Sequence, residues 1–508
     1  MLVCLGMAIL ASTAVASDSP YRTLEYWELA RSTGGNSLAS LLSRAEPPIA
    51  ARAALALGRT GKLLAADPLL QHTQAGDTAI RAMVAYGLGL LAVPLSGKTV
   101  DPMLAPLAAP RRVRAADAIA SALDDGSPAV RVAALDATAR FAAAHDFTVP
   151  QATLAFARCA KILRGDESPV IRGRAAYALA YLGAGKELHG RALTVLENAF
   201  STEDNDAARW HVMWALAATF AKYVDAGTLT AGLRDSSEVV QIQTLHALER
   251  RRDKAWIARV EPLTRDVRWR VNEEARETVR ILRGGKHSEH LRSIPSGVVT
   301  PAPQPRNFSA GLAPLPRPRF SGKPSRPTVA SLPLGPHIFP DTVQTIVGPA
   351  RGPHPRVAIV TTKGTLVLVL YPEWAPETVA NFLQLANRGF YDGNRWFRVV
   401  PDFVVQSGDR TETGNGDAGY RIPAEENPLE QDSGVISMGL DYDKNGPERD
   451  SAGSQFYITL SPQLHLDRDF TVFGRVESGF DVLGRVVESD RIIRIEQLPA
   501  DERYSLLQ

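Results

Sequence analysis

The stretch WFRVVPDFVVQSGD, residues 396–409, places a charged side chain inside a run that otherwise suits a β-sheet. Arg398 lies among valines, with Phe403 and Gln406 close behind it. A guanidinium keeps its charge at any working pH and carries several N–H donors, so an arginine on an apolar wall can hold a polar group of a ligand. Taken alone, the pattern more often marks an arginine that extends into solvent or pairs with a carboxylate.

The residue types give little support for a disulfide framework, a metal site or a cofactor. The chain has two cysteines, Cys4 and Cys159, which excludes a disulfide framework and a cysteine-based metal site. Cys159 lies in an apolar helical stretch and is interpreted as a small buried hydrophobic residue. The histidines are scattered and show no metal-ligand spacing. We therefore expect no metal and no other cofactor.

The residues around Arg398 follow a strand pattern from about residue 356 onwards. RVAIVTTKGTLVLVLYP predicts two strands around a Lys363-Gly364 turn, and APETVANFLQLANRGFY predicts an amphipathic helix with proline in its first turn. Residues 396–409 predict another strand pair. GVISMGL, SQFYITL and TVFGRVE predict short strands, and GFDVLGRVVE predicts a second helix. This succession predicts a closed or nearly closed antiparallel β-barrel.

Within this segment, several blocks follow one another in a recognisable order. They are GTLVLVLYPEWAPETVANFLQLANRGFYDG (364–393), FRVVPDFVVQSGD (397–409), GVISMG (434–439), GSQFYITLSP (453–462) and LDRDFTVFGRV (466–476). Through these blocks, residues 356–498 resemble the cyclophilin family of peptidyl-prolyl cis-trans isomerases. The resemblance implies a cyclophilin-like antiparallel β-barrel with two helices, and isomerisation of X–Pro bonds in protein clients.

The resemblance also implies a role for each matching position. Arg398 falls on the catalytic arginine of the family, and Phe403 falls on the aromatic floor of the proline pocket. Gln406 falls on the glutamine that hydrogen-bonds the substrate backbone. The other implied substrate-binding positions are Val404, Gly439, Leu440, Gln455, Tyr457, Leu466 and Phe470.

This chain departs from the usual residues at several of these positions. Val404 stands where most members have methionine, and Tyr457 replaces a phenylalanine. Phe470 stands where eukaryotic members carry histidine and bacterial members often an aromatic residue. His465 stands where many members have the tryptophan associated with tight cyclosporin binding, so we expect weak inhibition by cyclosporin. DYDKNGPERDSA, residues 441–452, looks longer than the common loop.

The chemistry of the implied reaction accounts for an arginine beside an apolar pocket. Rotation about an X–Pro bond faces a barrier of about 18–20 kcal/mol, because resonance gives the C–N bond double-bond character. An enzyme lowers this barrier by binding the twisted amide better than either planar isomer. The twisted proline nitrogen gains a lone pair to which a guanidinium can donate. An apolar pocket strengthens that hydrogen bond and holds the proline ring, so no nucleophile or metal is needed.

Residues 25–283 follow a different, helical pattern that recurs along the chain. A polar turn is followed by a small or β-branched residue, an arginine and an alanine-rich helix, most clearly at 125–131 and 166–172. The anchor positions are Arg52, Arg81, Arg131, Arg172, Arg209, Gln241 and Arg270. The pattern resembles HEAT-type repeats, which stack into an α-solenoid because each helix pair leaves one face to be covered. Such a domain could bind a client or a protein partner.

Two further segments complete the predicted domain organisation. Residues 284–352 are rich in proline, serine and glycine, which predicts an extended tether before a domain at 353–498 and a tail at 499–508. Residues 1–16 are apolar and end in Ala14-Val15-Ala16, which is typical of a secretory signal peptide. We expect export, to the periplasm of a bacterium. The alternatives are that the segment is a short buried helix or a membrane anchor, and that the protein is cytoplasmic.

Composition limits the classes of partner. The net charge is +2, so the protein as a whole has no strong electrostatic attraction for nucleic acid. No run after the N-terminal segment is long enough to span a membrane. The leading interpretation is a tethered prolyl isomerase with proline-containing clients. Two alternatives remain open: an adaptor whose barrel only grips proline-containing peptides, and a chaperone whose activity lies in the repeats.

Overall fold

A computed structural model describes most of the repeat region and most of the C-terminal domain. The described residues are 33–34, 36–95, 104–285, 354–400, 403–412, 414, 416–443, 446–460, 463, 466–467, 469–488 and 490–499. The chain divides into two compact units, Met1–His287 and Ser288–Gln508. The predicted signal peptide, nearly all of the predicted tether and tail, and His465 lie outside the described residues.

The N-terminal unit is built from helices that alternate with short connections. In chain order they are α1 (Ser37–Arg44), α2 (Pro47–Arg59), α3 (Ala66–Gln71), α4 (Thr78–Leu90), α5 (Ala92–Leu95), α6 (Ala105–Ala122), α7 (Pro128–Ala143), α8 (Val149–Gly165), α9 (Pro169–Leu182), α10 (His189–Thr202), α11 (Asp206–Thr219), α12 (Ala226–Leu233), α13 (Glu238–Arg251), α14 (Ile257–Val260) and α15 (Trp269–Leu282). Prolines stand in the first turn of α2, α7, α8 and α9, where their missing N–H costs no hydrogen bond.

These helices form two layers that grow along the chain. In one layer α2, α4, α7, α9, α11, α13 and α15 pack side by side in sequence order, and the helices between them cover that layer. Small residues permit the close approach. Gly58 and Gly87 face each other between α2 and α4, and an added Cβ on Gly58 would lie 2.6 Å from the Cα of Gly87. Each helix pair therefore depends on its neighbours to cover its apolar face.

The arginine that begins each repeat links it to the next one. Arg131 donates from Nε to Asp166 at 2.8 Å and from Nη1 to the carbonyl oxygens of Asp125 and Gly126 at 3.0 Å. The acidic residue also caps its own turn, since the backbone N–H of Ser168 donates to Asp166. The same contacts recur for Arg81 with Asp125, Arg172 with Glu203 and Arg209 with Asp235. We call this series the arginine ladder.

The last two rungs of the ladder are not formed by arginine. The side chain of Asn272 occupies the final position, where its Nδ2 donates to the Asp266 carbonyl oxygen at 3.1 Å. The side chain of the predicted anchor, Arg270, lies outside the described part of the chain. Gln241 does occupy its predicted position, but it accepts a hydrogen bond from Arg268 instead of donating to a carboxylate.

The C-terminal unit contains the predicted strands and helices. They are β1 (Arg356–Thr361), β2 (Gly364–Leu370), α16 (Pro376–Asn387), β3 (Arg398–Val400), β4 (Val404–Ser407), β5 (Val435–Met438), β6 (Tyr442–Asp443), β7 (Gly446–Pro447), β8 (Phe456–Thr459), β9 (Val472–Ser478), α17 (Phe480–Leu483) and β10 (Ile492–Leu498). The predicted second helix is only four residues long, because the chain turns at Gly484. Strand β10 has no counterpart among the predicted elements.

Eight of the strands form one curled antiparallel sheet in the order β10-β1-β2-β9-β5-β8-β4-β3. Its two edges meet at an isolated bridge between Arg395 and Arg491, beside a 3.1 Å hydrogen bond from the Trp396 N–H to the Asp490 carbonyl. The nearly closed antiparallel barrel predicted from the sequence is thereby confirmed. Its interior is filled by aromatic residues such as Trp396, Phe456 and Phe382, all fully buried.

Three further findings concern other predictions. Within the described residues, no helix combines the length and hydropathy needed to cross a bilayer. Cys159 is buried, and burial raises the pKa of its thiol. In the described part of the chain, no group of three or more histidine, cysteine, aspartate or glutamate side chains is arranged to hold a metal ion.

Candidate active site

The antiparallel register places the key polar residues in one row across the barrel. Arg398 on β3 pairs with Gln406 on β4, which pairs with Tyr457 on β8. Directly paired residues project from the same side of a sheet. The alternating residues Val399 and Val405 belong to the barrel core. Arg398, Gln406 and Tyr457 therefore lie together on the face that is turned away from the core.

Apolar side chains form a second cluster on this face, separate from the barrel core. Its buried members are Val404, Tyr457, Leu466 and Phe470, and Phe403 and Leu440 are partly buried against them. The rings of Tyr457 and Phe470 meet edge to face, with centroids 5.6 Å apart. All six residues are among the substrate-binding positions that the sequence resemblance implied. They supply the wall of an apolar pocket.

A chain of hydrogen bonds runs along the polar side of this wall. Arg398 Nη1 donates to Gln406 Oε1 at 3.2 Å, and Gln406 Nε2 donates to Gln455 Oε1 at 3.0 Å. Gln455 Nε2 in turn donates to the carbonyl oxygens of Gly414 and Gly416, at 3.0 and 2.8 Å. Each amide is oriented by the next, so Gln406 holds its oxygen towards the guanidinium.

The environment of Arg398 differs from that of a structural ion pair. Its guanidinium carbon lies 5.2 Å from the centroid of the Phe403 ring, within cation–π distance. Partial burial of the guanidinium lowers the pKa of Arg398, although the side chain as a whole stays accessible to solvent. Among the described residues, no carboxylate forms an ion pair with it. The guanidinium is therefore available to a ligand at the edge of the apolar pocket.

Gly439 leaves space for the side-chain amides of Gln406 and Gln455. Its backbone N–H donates to the Gln455 carbonyl oxygen at 2.8 Å. A Cβ at position 439 would lie 3.3 Å from Gln406 Nε2 and 3.1 Å from the Gln455 Cβ, so a side chain there would crowd both amides. The structure thus brings every described candidate site residue into one region, and the expectation for His465 falls outside the described residues.

The Tyr457 hydroxyl introduces a polar atom at the base of the apolar wall. The side chain is buried, and burial raises the pKa of Tyr457 well above its ordinary value. Ser437 and Gln431 lie close to the hydroxyl and bond to each other, with Ser437 Oγ donating to Gln431 Oε1 at 3.0 Å. Both act on the phenol against the effect of burial, but neither lies within hydrogen-bond geometry of the hydroxyl, for which the described residues supply no partner.

One residue near the pocket was missed by sequence reasoning. Tyr442, in the loop that looked long, has its ring centroid 6.3 Å from that of Phe470. The sequence offered the extra length of the loop as a signal, but no indication of where the loop would point.

An open cavity of about 990 Å³ lies elsewhere, at the end of the repeat unit beside α15. It is lined by charged residues, including Arg265, Arg276 and Arg280, with few apolar side chains. Such a lining gives a proline ring little apolar surface to pack against. The barrel face around Arg398, with its apolar cluster, is therefore the better candidate for the prolyl site.

Known proteins share this barrel. The family model described as cyclophilin type peptidyl-prolyl cis-trans isomerase matches residues 356–498. Human peptidyl-prolyl cis-trans isomerase-like 1 is 41% identical over 133 residues, which are 26% of this chain and 79% of the relative. Peptidyl-prolyl cis-trans isomerase B of Bacillus subtilis is 44% identical over 131 residues, which are 25% of this chain and 87% of the relative.

The curled sheet and these similarities define the class of the C-terminal domain as a cyclophilin fold. The chain belongs to the family of cyclophilin-type peptidyl-prolyl cis-trans isomerases, and its barrel is an enzyme of that family. Proteins that contain proline are the substrates of this class. The N-terminal unit of stacked helices is an addition to the barrel, which itself makes up little more than a quarter of the chain.

Proposed function

We propose that the barrel isomerises X–Pro bonds of protein clients with Arg398 as its catalytic residue, and that the repeat unit holds those clients. The observation that carries the proposal is the position of Arg398. Its guanidinium lies over Phe403, at the edge of the apolar cluster, and is hydrogen-bonded to Gln406. No carboxylate in the described residues neutralises it.

In this mechanism the pocket binds the proline ring and leaves the amide free to twist. Phe403, Leu466 and Phe470 pack against the ring, while Gln406 hydrogen-bonds the substrate backbone. As the C–N bond rotates, the proline nitrogen becomes pyramidal, and the Arg398 guanidinium donates a hydrogen bond to its lone pair. This bond is absent in both planar isomers, so it lowers the barrier rather than merely tightening binding. The partly apolar surroundings strengthen it.

The role of the repeat unit follows from its architecture. Stacked helix pairs present extended surfaces, and repeat proteins commonly use such surfaces to bind other proteins. Residues 286–353 join the two units in one chain. A client held by the repeats would then meet the barrel at a raised local concentration, because both units belong to one chain. The repeat unit would thereby direct an unspecific isomerase to particular clients.

Export is the second part of the proposal. The apolar N-terminal run and the Ala14-Val15-Ala16 pattern support a cleaved signal peptide and a periplasmic protein. Mass spectrometry of the protein purified from its own cells tests this directly. A mature chain that begins at Ser17 would support export, and an intact N-terminus would favour the cytoplasmic alternative.

The catalytic assignment is tested by substitution in the full-length protein. Arg398→Ala should lower kcat/KM for a proline tetrapeptide by about a hundredfold or more, because a transition-state hydrogen bond of this kind is worth several kcal/mol. Arg398→Lys keeps the charge but not the planar donor geometry, and should remain strongly impaired.

Arg485→Ala is the matched control, since Arg485 is a solvent-accessible arginine of the same barrel that pairs with Asp481. It should turn over the peptide at the normal rate. Unchanged circular dichroism would show that Arg398→Ala is folded. A folded Arg398→Ala protein with normal turnover would refute the assignment. Peptide binding without turnover in the unaltered protein would favour the adaptor alternative.

A further inference from the structure

The long loop after β5 forms a hairpin of its own beside the pocket. Strands β6 and β7 make a separate two-stranded sheet in which Tyr442 pairs with Pro447. Arg421 closes the base of this hairpin through ion pairs of 2.6 Å to Asp441 and 3.0 Å to Glu448. The backbone N–H of Glu448 also donates to the Asp441 carbonyl at 2.7 Å. The hairpin is therefore anchored at its base.

The hairpin holds an aromatic ring at the mouth of the proline pocket. Tyr442 is 65% exposed, yet its ring lies 6.3 Å from the ring of Phe470, a member of the apolar wall. Burial raises the pKa of Tyr442, and the positive charge of Arg398 acts in the opposite direction. Isolated exposed apolar residues are ordinary, but this one continues the wall of a binding site.

The surroundings of Tyr442 favour one chemistry of ligand. Asp469 and Arg398 act on the Tyr442 phenol with opposite sign. Because the two charges offset each other, neither an acidic nor a basic side chain of a ligand gains from its charge. A neutral apolar side chain gains from burial against the ring without meeting a like charge.

We propose that Tyr442 forms a substrate subsite outside the proline pocket, which takes an aromatic or large apolar side chain on a residue that flanks the proline. This inference rests on the proposed isomerase function and adds a specificity determinant to it. The hairpin extends the pocket wall by one ring. A client segment with leucine or phenylalanine next to proline would cover the exposed face of Tyr442 while its proline ring occupies the pocket.

The test compares tetrapeptides that differ only beside the proline. Full-length protein is assayed with alanine, leucine, phenylalanine, lysine or glutamate at the residue before the proline, and in a second series at the residue after it. In at least one series, kcat/KM should be about threefold to tenfold higher for phenylalanine than for alanine, the range expected for one aromatic contact. Tyr442→Ala should abolish this preference, so that the phenylalanine and alanine peptides are turned over with similar kcat/KM.

Two further variants test whether the aromatic ring of Tyr442 causes the preference. Tyr442→Phe should keep the preference, since the ring and not the hydroxyl makes the contact. Tyr223→Ala removes a comparably exposed tyrosine, 63% accessible, from the repeat unit and should change nothing. The subsite is refuted if Tyr442→Ala retains the preference, or if lysine or glutamate is preferred over phenylalanine. Lack of activity on every peptide by the unaltered protein would instead overturn the proposed function.

Discussion

Tyr457 shows at the scale of one residue how the pocket combines apolar packing with an unsatisfied polar atom. Its ring packs against Phe470, while its buried hydroxyl lies near Ser437 and Gln431 without reaching hydrogen-bond geometry with either of them. A buried polar group without a partner costs about 1–3 kcal/mol, because it loses its hydrogen bonds to water on folding. A phenylalanine at this position would keep the packing and avoid that cost.

We therefore expect Tyr457→Phe to stabilise the barrel by about 1 kcal/mol. Amide hydrogen exchange of strand β8 in the full-length protein measures the effect locally and should become about fivefold slower. Tyr420→Phe is the matched control, because the Tyr420 hydroxyl does donate to Asn381 Oδ1, at 2.5 Å. That variant should exchange faster. Equal effects of the two substitutions would contradict the interpretation of the Tyr457 hydroxyl.

At the scale of the element, the arginine ladder joins consecutive helix pairs. Arg131 is 19% exposed and Asp166 only 7%, and the arginine also satisfies two carbonyl oxygens of the preceding turn. Its removal leaves a nearly buried carboxylate and two carbonyl groups without their donor. Exposed ion pairs behave differently, because solvent compensates each partner. The pair between Arg283 and Glu261, 61% and 50% exposed, is of that kind.

Arg131→Met should therefore destabilise the repeat unit by about 2 kcal/mol. Arg283→Met should change the unfolding free energy by no more than about 0.5 kcal/mol. Urea denaturation of the full-length protein, followed by the helical circular dichroism at 222 nm, measures both, since the helices lie mainly in the repeat unit. A loss for Arg131→Met no greater than that for Arg283→Met would show that the ladder does not hold the stack together.

At the scale of the whole molecule, the proposed advantage of one chain is that client capture and isomerisation occur together. A protease site inserted between Ser309 and Ala310 allows the same protein to be compared before and after cleavage. Turnover of a free tetrapeptide should not change, because the barrel alone carries the pocket. Acceleration of the refolding of a proline-limited client protein should fall several-fold, since the effective concentration created by the connection is lost.

The peptide assay serves as the internal control for damage to the barrel by the protease. An equal rate of client refolding before and after cleavage would show that the repeat unit does not deliver clients. If the repeat fragment by itself suppressed client aggregation, the chaperone interpretation of that unit would gain support.

The local pattern predicted most of the elements but missed strand β10 and the short hairpin of β6 and β7. Strand β10 pairs with β1, from Arg356 opposite Leu498 to Thr361 opposite Ile492. Its alternation of apolar and polar residues is short, and its stability depends on that distant partner.

The candidate site, too, could be predicted from the sequence only in part. Arg398, Phe403, Gln406 and the other implied positions could be listed from the sequence, because residue type and spacing survive in the linear order. The row that joins Arg398, Gln406 and Tyr457 follows from strand register, which is a property of three strands together. Tyr442 could not be placed at all, since the direction of its hairpin depends on the contact of Arg421 with Asp441 and Glu448.

The sequence by itself determined two things about this protein: a repeated helical pattern in the first half, and a resemblance to the cyclophilin family in the second. The first depends on short-range periodicity and the second on the order and residues of short blocks, and neither needs a tertiary contact to be recognised. Tertiary structure alone decided that the guanidinium of Arg398 lies over Phe403 with no carboxylate of the described residues beside it, and that a tyrosine stands at the pocket mouth. Those outcomes depend on contacts between residues distant in the chain, whose geometry emerges only when the barrel has closed.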